Sequence, residues 1–188
     1  MRTRAPILVA AAALALVGCG DRNLVLKVDV LSYMDPAYTA ASFGPVPPVP
    51  GGFATGEVPL VDGVTINLLD GLSSVAEVRS VTLFLSAVVH DSTGTGLDTL
   101  RVYVSQEEIE PIWTPPIIEQ AVSLQPGETD SIEVTLPADE RVAGLFMGRK
   151  LRLTVTNSVR GPESGDPLNG RLVVRALDAI VIAGRKAF

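Results

Sequence analysis

A chain of 188 residues with 47 % hydrophobic content has room for one ordinary domain with a real core, and its formal charge of −6 excludes nucleic acid and anionic headgroups as natural partners. One histidine and one cysteine cannot supply a zinc site, and a lone cysteine forms no intramolecular disulfide. Aromatic residues are few, at 5 %, while Val, Leu and Ile abound, a bias toward strands.

The first residues follow the order of a secretory signal. Arg2 and Arg4 make a positive start, and Ile7 to Val17 is an uncharged apolar run of about eleven residues. That is well short of the roughly twenty residues that a membrane-spanning helix needs. Leu16-Val17-Gly18-Cys19 then resembles the lipobox of bacterial lipoproteins. The resemblance covers residues 1–19 and implies cleavage before Cys19, with a diacylglycerol on its thiol and an acyl chain on the new amine. Acylation would also remove the lone exported thiol. Each buried methylene contributes roughly 0.8 kcal/mol, so two or three chains would form an effectively permanent anchor. No other cofactor is expected. Loss of residues 1–18 would take Arg2 and Arg4 with it and move the formal charge from −6 to −8. The lipobox family implies a place in the cell envelope. Gly20, rather than an aspartate, follows the cysteine, which favours the outer membrane if the host is Gram-negative.

From Leu24 the pattern alternates with period two. Leu24, Leu26, Val28 and Val30 share a face, after a tether (residues 19–23) under ~20 Å long. Residues 35–63 read as a break, and Gly44-Pro45-Val46-Pro47-Pro48-Val49-Pro50-Gly51-Gly52 cannot be a central strand because proline donates no ladder hydrogen bond. Strands resume at Val64–Leu69 and at Val78–Val89, where Val81, Leu83, Leu85, Ala87 and Val89 face one way. The stretch Asp91 to Asp98, with Gly94 and Gly96, then predicts a hairpin into Thr99–Ser105, whose Leu100, Val102 and Val104 share a side. Ala121–Leu124 and Ser131–Leu136 predict a second pair around Gln125-Pro126-Gly127-Glu128. Residues 138–147 carry the one predicted helix, with Val142, Leu145 and Phe146 on a face. Leu151–Val155 and Leu172–Ile182 close the chain. Eight or nine strands of this kind predict an all-β chain, an antiparallel β-sandwich spanning residues 24–188 as one domain.

Ser123 to Leu136, with its Leu124-Gln125-Pro126-Gly127-Glu128-Thr129 core, resembles a hairpin of bacterial immunoglobulin-like and adhesion-type domains. That resemblance implies an immunoglobulin-like sandwich in which a Pro-Gly turn links two edge strands. In such a turn Pro sets φ at the first position and Gly supplies the second.

Candidates for chemistry are few. His90 stands at the end of the longest strand beside Asp91, and no Gly-x-Ser-x-Gly elbow offers it a nucleophile. Asp91 and Asp98, with Ser92, Thr93 and Thr95, make the only candidate metal site, a calcium loop too poor in carboxylates to fit the known spacing. Glu107, Glu108 and Glu110 read as a solvated run. Ile112, Trp113 and Ile117 lie in a proline-flanked connection that either presents a recognition loop to a partner or plugs the open end of the core. The expectation is a lipid-anchored, non-enzymatic binding or structural sandwich in the envelope, with the membrane and an envelope protein as partners. A carboxylate-dependent hydrolase and a subunit of an envelope complex are the alternatives.

Overall fold

The computed structural model describes residues 23–35, 39–66, 75–106, 115–138, 140–146 and 151–185. In chain order these form β1 (Asn23–Asp29), a 3₁₀ turn (Val30–Tyr33), β2 (Ala40–Val46), β3 (Val58–Ile66), β4 (Val75–Thr93), β5 (Gly96–Gln106), β6 (Ile118–Leu124), β7 (Thr129–Leu136), α1 (Glu140–Phe146), β8 (Leu151–Arg160) and β9 (Leu168–Arg185). One sheet runs β1-β9-β4-β7, with β2 on the other half of the β9 edge; the second runs β3-β8-β5-β6. All pairings are antiparallel. The expected β-sandwich is therefore present. Its strand order, β2-β9-β4-β7 in one sheet and β3-β8-β5-β6 in the other, is that of a double-sheet jelly roll and not that of the immunoglobulin arrangement.

Alternation built this sandwich. Val81, Leu83, Leu85, Ala87 and Val89 of β4 are all at most 2 % exposed, and Leu100, Val102 and Val104 of β5 face them from the other sheet. On β9 the inward set changes phase, from Leu172 and Val174 to Leu177, Ala179, Val181 and Ala183. Ser86 pairs with Ala176 and Ala87 with Val174, so Arg175 is the extra residue of a bulge that turns it outward. Asp29 ends β1 by accepting the Ser32 amide at 3.2 Å, which starts the 3₁₀ turn and keeps Val30 buried.

Two predicted hairpins are corrected. β4 pairs with β9 and β7, while β5 pairs with β8 and β6, so residues 94–95 arch between the sheets. The Pro-Gly segment 125–128 likewise joins β6 in one sheet to β7 in the other. Both are edge strands, as the resemblance implied, but they are not each other's partners. A hairpin and an arch each need two strands with one apolar face, so alternation alone cannot tell them apart. The two arches lean on one another: the Asp91 amide donates to Glu128 O and the Gly127 amide to Asp91 O, each at 3.0 Å.

The break expected over 35–63 also needs correction, because β2 and β3 begin and end within or beside it. Pro45 is accommodated because β2 is an edge strand and its ladder shifts register between Phe43 and Val46. The Pro-rich segment that follows is a strap from one sheet to the other. It is held by Val49 N to Pro162 O (3.0 Å), Gly161 N to Phe53 O (2.8 Å) and Thr55 N to Val159 O (2.8 Å). Val49 and Phe53 on it are exposed.

β6 and β7, of 7 and 8 residues, are shorter than their neighbours β5 and β4, of 11 and 19, and stop at the levels of Val102 and Leu83. Helix α1, close to where it was predicted, packs on β4 and β5 below them and closes the core with Val142, Ala143 and Phe146. The register gives the sandwich two ends. β1, β4 and β8 start, and β3, β5 and β9 finish, at a proximal end; the arches, the strap and loop 161–167 gather at the distal end.

Candidate functional site

Asn23 opens β1 at the proximal end of the sandwich. Cys19 itself lies outside the described residues, as do Glu107, Glu108, Glu110, Ile112 and Trp113. Ile117 is described. It is 8 % exposed, belongs to the core cluster and donates its amide to Val102 O at 2.8 Å.

Both candidate calcium ligands lie on strands, not on the turn. Residues 81 to 91 of β4 alternate inward at odd positions, and residues 98 to 104 of β5 at even ones, so Asp91 and Asp98 each end an inward-facing row. They are 1 % and 0 % exposed. Burial raises the Asp98 carboxyl to about 6, opposed in part by the Asn157 side chain and the Thr99 amide. Burial also raises Asp91, against the opposing pull of the Thr93 amide and the His90 ring. Oδ1 of Asp98 accepts from Asn157 Nδ2 at 3.4 Å, while its Oδ2 and both oxygens of Asp91 make no well-formed hydrogen bond. Neither aspartate contributes to the other's shift, so they are separate buried acids and not one site. Among the described residues no group of three or more His, Cys, Asp or Glu side chains gathers as a metal site.

His90 is exposed on the outer face of the five-stranded sheet, with Nδ1 2.9 Å from Thr129 Oγ1. An imidazole beside a hydroxyl is the start of a nucleophilic pair, but this one sits on an open sheet face with no described third group to orient the ring.

The outer face of the other sheet holds a polar network that the sequence did not single out. Odd positions of β5 and even positions of β8 point outward there, placing Arg101 and Tyr103 beside Thr156 and Ser158. Glu57, just before β3, takes the Tyr103 hydroxyl (2.9 Å to Oε2) and the Thr156 hydroxyl (2.9 Å). Arg101 lies 3.5 Å from Glu57 and 3.2 Å from Glu119, and donates to Ser158 Oγ at 2.9 Å. Burial, followed by the acceptor Glu57, pushes the Tyr103 hydroxyl up to about 12, so it stays a donor at any ordinary pH. The outward parity of Tyr103 and Arg101 was readable from β5. Nothing in the sequence marked Glu57 as their partner, because it arrives from a loop 46 residues away.

The cavity lined by Val30, Leu83, Val102, Val104, Phe146, Leu151, Leu153 and Leu177 has a volume of about 10 Å³ and is wholly apolar. A space of that size holds at most one water, and an apolar lining keeps it dry.

No protein-family model matches the chain, and no curated protein does. Solved structures give loose likenesses. The infectious bursal disease virus Gt strain structure is 14 % identical, with a TM-score of 0.38 over 93 % of this chain and 43 % of that one. The VP2 subviral particle of that virus is 14 % identical, with a TM-score of 0.36 over 93 % and 42 %. A CBM4 structure is 12 % identical, with a TM-score of 0.31 over 84 % and 88 %. The chain thus spans less than half the length of the viral chains. Overlaps this loose transfer neither a site nor an activity, and the fold stands on the chain's own strand pairing.

Proposed function

We propose that this chain is a bacterial lipoprotein: a jelly-roll domain with a non-enzymatic binding or structural role, held to the cell envelope by a diacylglycerol on Cys19. The observation that carries the reading is Leu16-Val17-Gly18-Cys19 after an uncharged apolar run, with β1 beginning at Asn23. A tether this short keeps the proximal end against the bilayer. β4 has 19 residues, so the arches and strap stand up to roughly 60 Å from the proximal end along the strand. Surfaces at that height are the ones a partner in the envelope would meet first.

The non-enzymatic part rests on the polar groups described above. Glu57 and Glu119 flank Arg101 on one flat sheet face, which differs from two carboxylates opposed across a cleft. Lipidation is tested by expressing the full chain with radiolabelled palmitate in a Gram-negative host. Label is expected in the wild type and absent from Cys19→Ser, with the variant retained as precursor. Unlabelled wild type, or label that survives Cys19→Ser, would sink the reading. Loss of one specific protein from detergent pull-downs on Trp113→Ala would identify the partner contact.

A further inference from the structure

Asp98 occupies surroundings that ionised carboxylates avoid. Its side chain is 0 % exposed, beside Val159 of β8 and Val122 of β6 in register, with Leu100 and Leu124 on the same face. Its side-chain hydrogen bond from Asn157 is long at 3.4 Å, its Oδ2 has no partner, and Asn157 is itself 4 % exposed; beyond these only the Thr99 amide favours the charged form. The titratable groups looking into this end of the core from other strands are also acids: Asp91, ending the inward row of β4, and half-buried Asp130 of β7, opposite Val89. The inward side chains of β9 here, Leu168 and Leu172, carry no charge. Among the described residues no Lys or Arg side chain is buried, so no cation offsets a negative charge on Asp98.

We infer that Asp98 and Asn157 form a proton-dependent latch between β5 and β8 at the distal end of the sandwich. With its proton, Asp98 is a neutral group that keeps the Asn157 contact inside a dry core. Without it, a buried carboxylate held only by a long hydrogen bond from Asn157 and by the Thr99 amide favours any opening that admits water. Burial sets the changeover in mild acid, at about 6. A carboxyl raised in the folded state gives its full stability below the ordinary value of 3.8 and loses it as pH rises through about 6. The domain is therefore tighter in mildly acidic surroundings than in neutral ones. The inference does not depend on lipidation of Cys19.

Amide hydrogen exchange of the full chain in detergent, followed by mass spectrometry and normalised for intrinsic rates, tests it. Protection of peptides from 96–106 and 151–160 is expected to fall about tenfold between pH 5 and pH 7.5, the linkage for a carboxyl moved from 3.8 to about 6. In Asp98→Asn that fall is expected to shrink to what buried Asp91 contributes. Equal protection at both pH values in the wild type, or an unchanged fall in the variant, overturns the latch. A measurement that needs no variant is carboxyl NMR of the aspartate-labelled native chain. Titration of the carboxyl assigned to Asp98 at about 6 supports the latch, and its titration below pH 5 overturns it.

Discussion

Replacing Phe146 with alanine tests whether α1 belongs to the cooperative core. The helix has seven residues, too few to persist in water without tertiary support. Its hold on β4 and β5 comes from Val142, Ala143 and Phe146, at 0 %, 4 % and 3 % exposure. An aromatic side chain buries about 150–250 Å², which at about 25 cal/mol per Å² corresponds to about 4–6 kcal/mol of transfer free energy. Alanine retains a small part of that. The truncation would also enlarge the apolar cavity that Phe146 already lines, or let the helix leave and wet it. Both routes lead to a loss of about 3–5 kcal/mol, in line with large-to-small core substitutions. Against a total stability of about 5–15 kcal/mol for a single domain, that is a large fraction. Urea unfolding followed by far-ultraviolet circular dichroism reads it as a lower midpoint at unchanged slope. Phe146→Leu should lose less, because leucine keeps most of the volume. A loss under about 1 kcal/mol in Phe146→Ala would show that α1 rests on the sandwich without being part of it.

Three further outcomes are expected. Gly170→Ala should destabilise by about 1–3 kcal/mol in thermal melts, because a Cβ there meets the Phe43 ring and lies 2.6 Å from the His90 carbonyl oxygen; a neutral result would mean β2 yields freely. Gly127→Ala has open space around it but a φ of +78°, so a smaller cost of about 1–2 kcal/mol should arise from backbone conformation alone. Tyr103→Phe removes the hydroxyl that donates to Glu57 and should cost about 1–2 kcal/mol; an identical melting temperature would show that Arg101 and Thr156 satisfy Glu57 without it.

Much of the fold was legible because alternation reports which face of a strand is buried. The rows of β4 and β5 follow from that, while the helix near 138–147 follows from Val142, Leu145 and Phe146 sharing a face and the edge position of the Pro-Gly segment from its resemblance. Which strand a given strand pairs with does not follow, since partner choice is settled by the arches and by β9, which is far off in sequence. The bulge at Arg175 illustrates the same limit: both phases of β9 are apolar, and only pairing with Ser86 and Ala87 shows where the phase changes. At the buried acids the signal was present but overruled by composition. Asp98 shares the parity of Leu100, Val102 and Val104, yet a Gly- and Thr-rich neighbourhood made it look like a turn residue. The Glu57 network had no comparable signal, because its members come from a loop and three strands.

β9 lies at the centre of the five-stranded sheet, bonded to β1, β2 and β4, although it is the last strand of the chain. A ribosome delivers the N-terminus first. β1 must therefore wait for a partner far later in the chain, Asn23 for Gly184 and Asp29 for Asp178, with its edge unsatisfied meanwhile. Closure of so long a loop slows folding relative to local pairing. A chain cut short before Leu168 would leave β1, β2 and one side of β4 without the strand they share. A stop codon at or just before Leu168 is thus expected to abolish the folded domain.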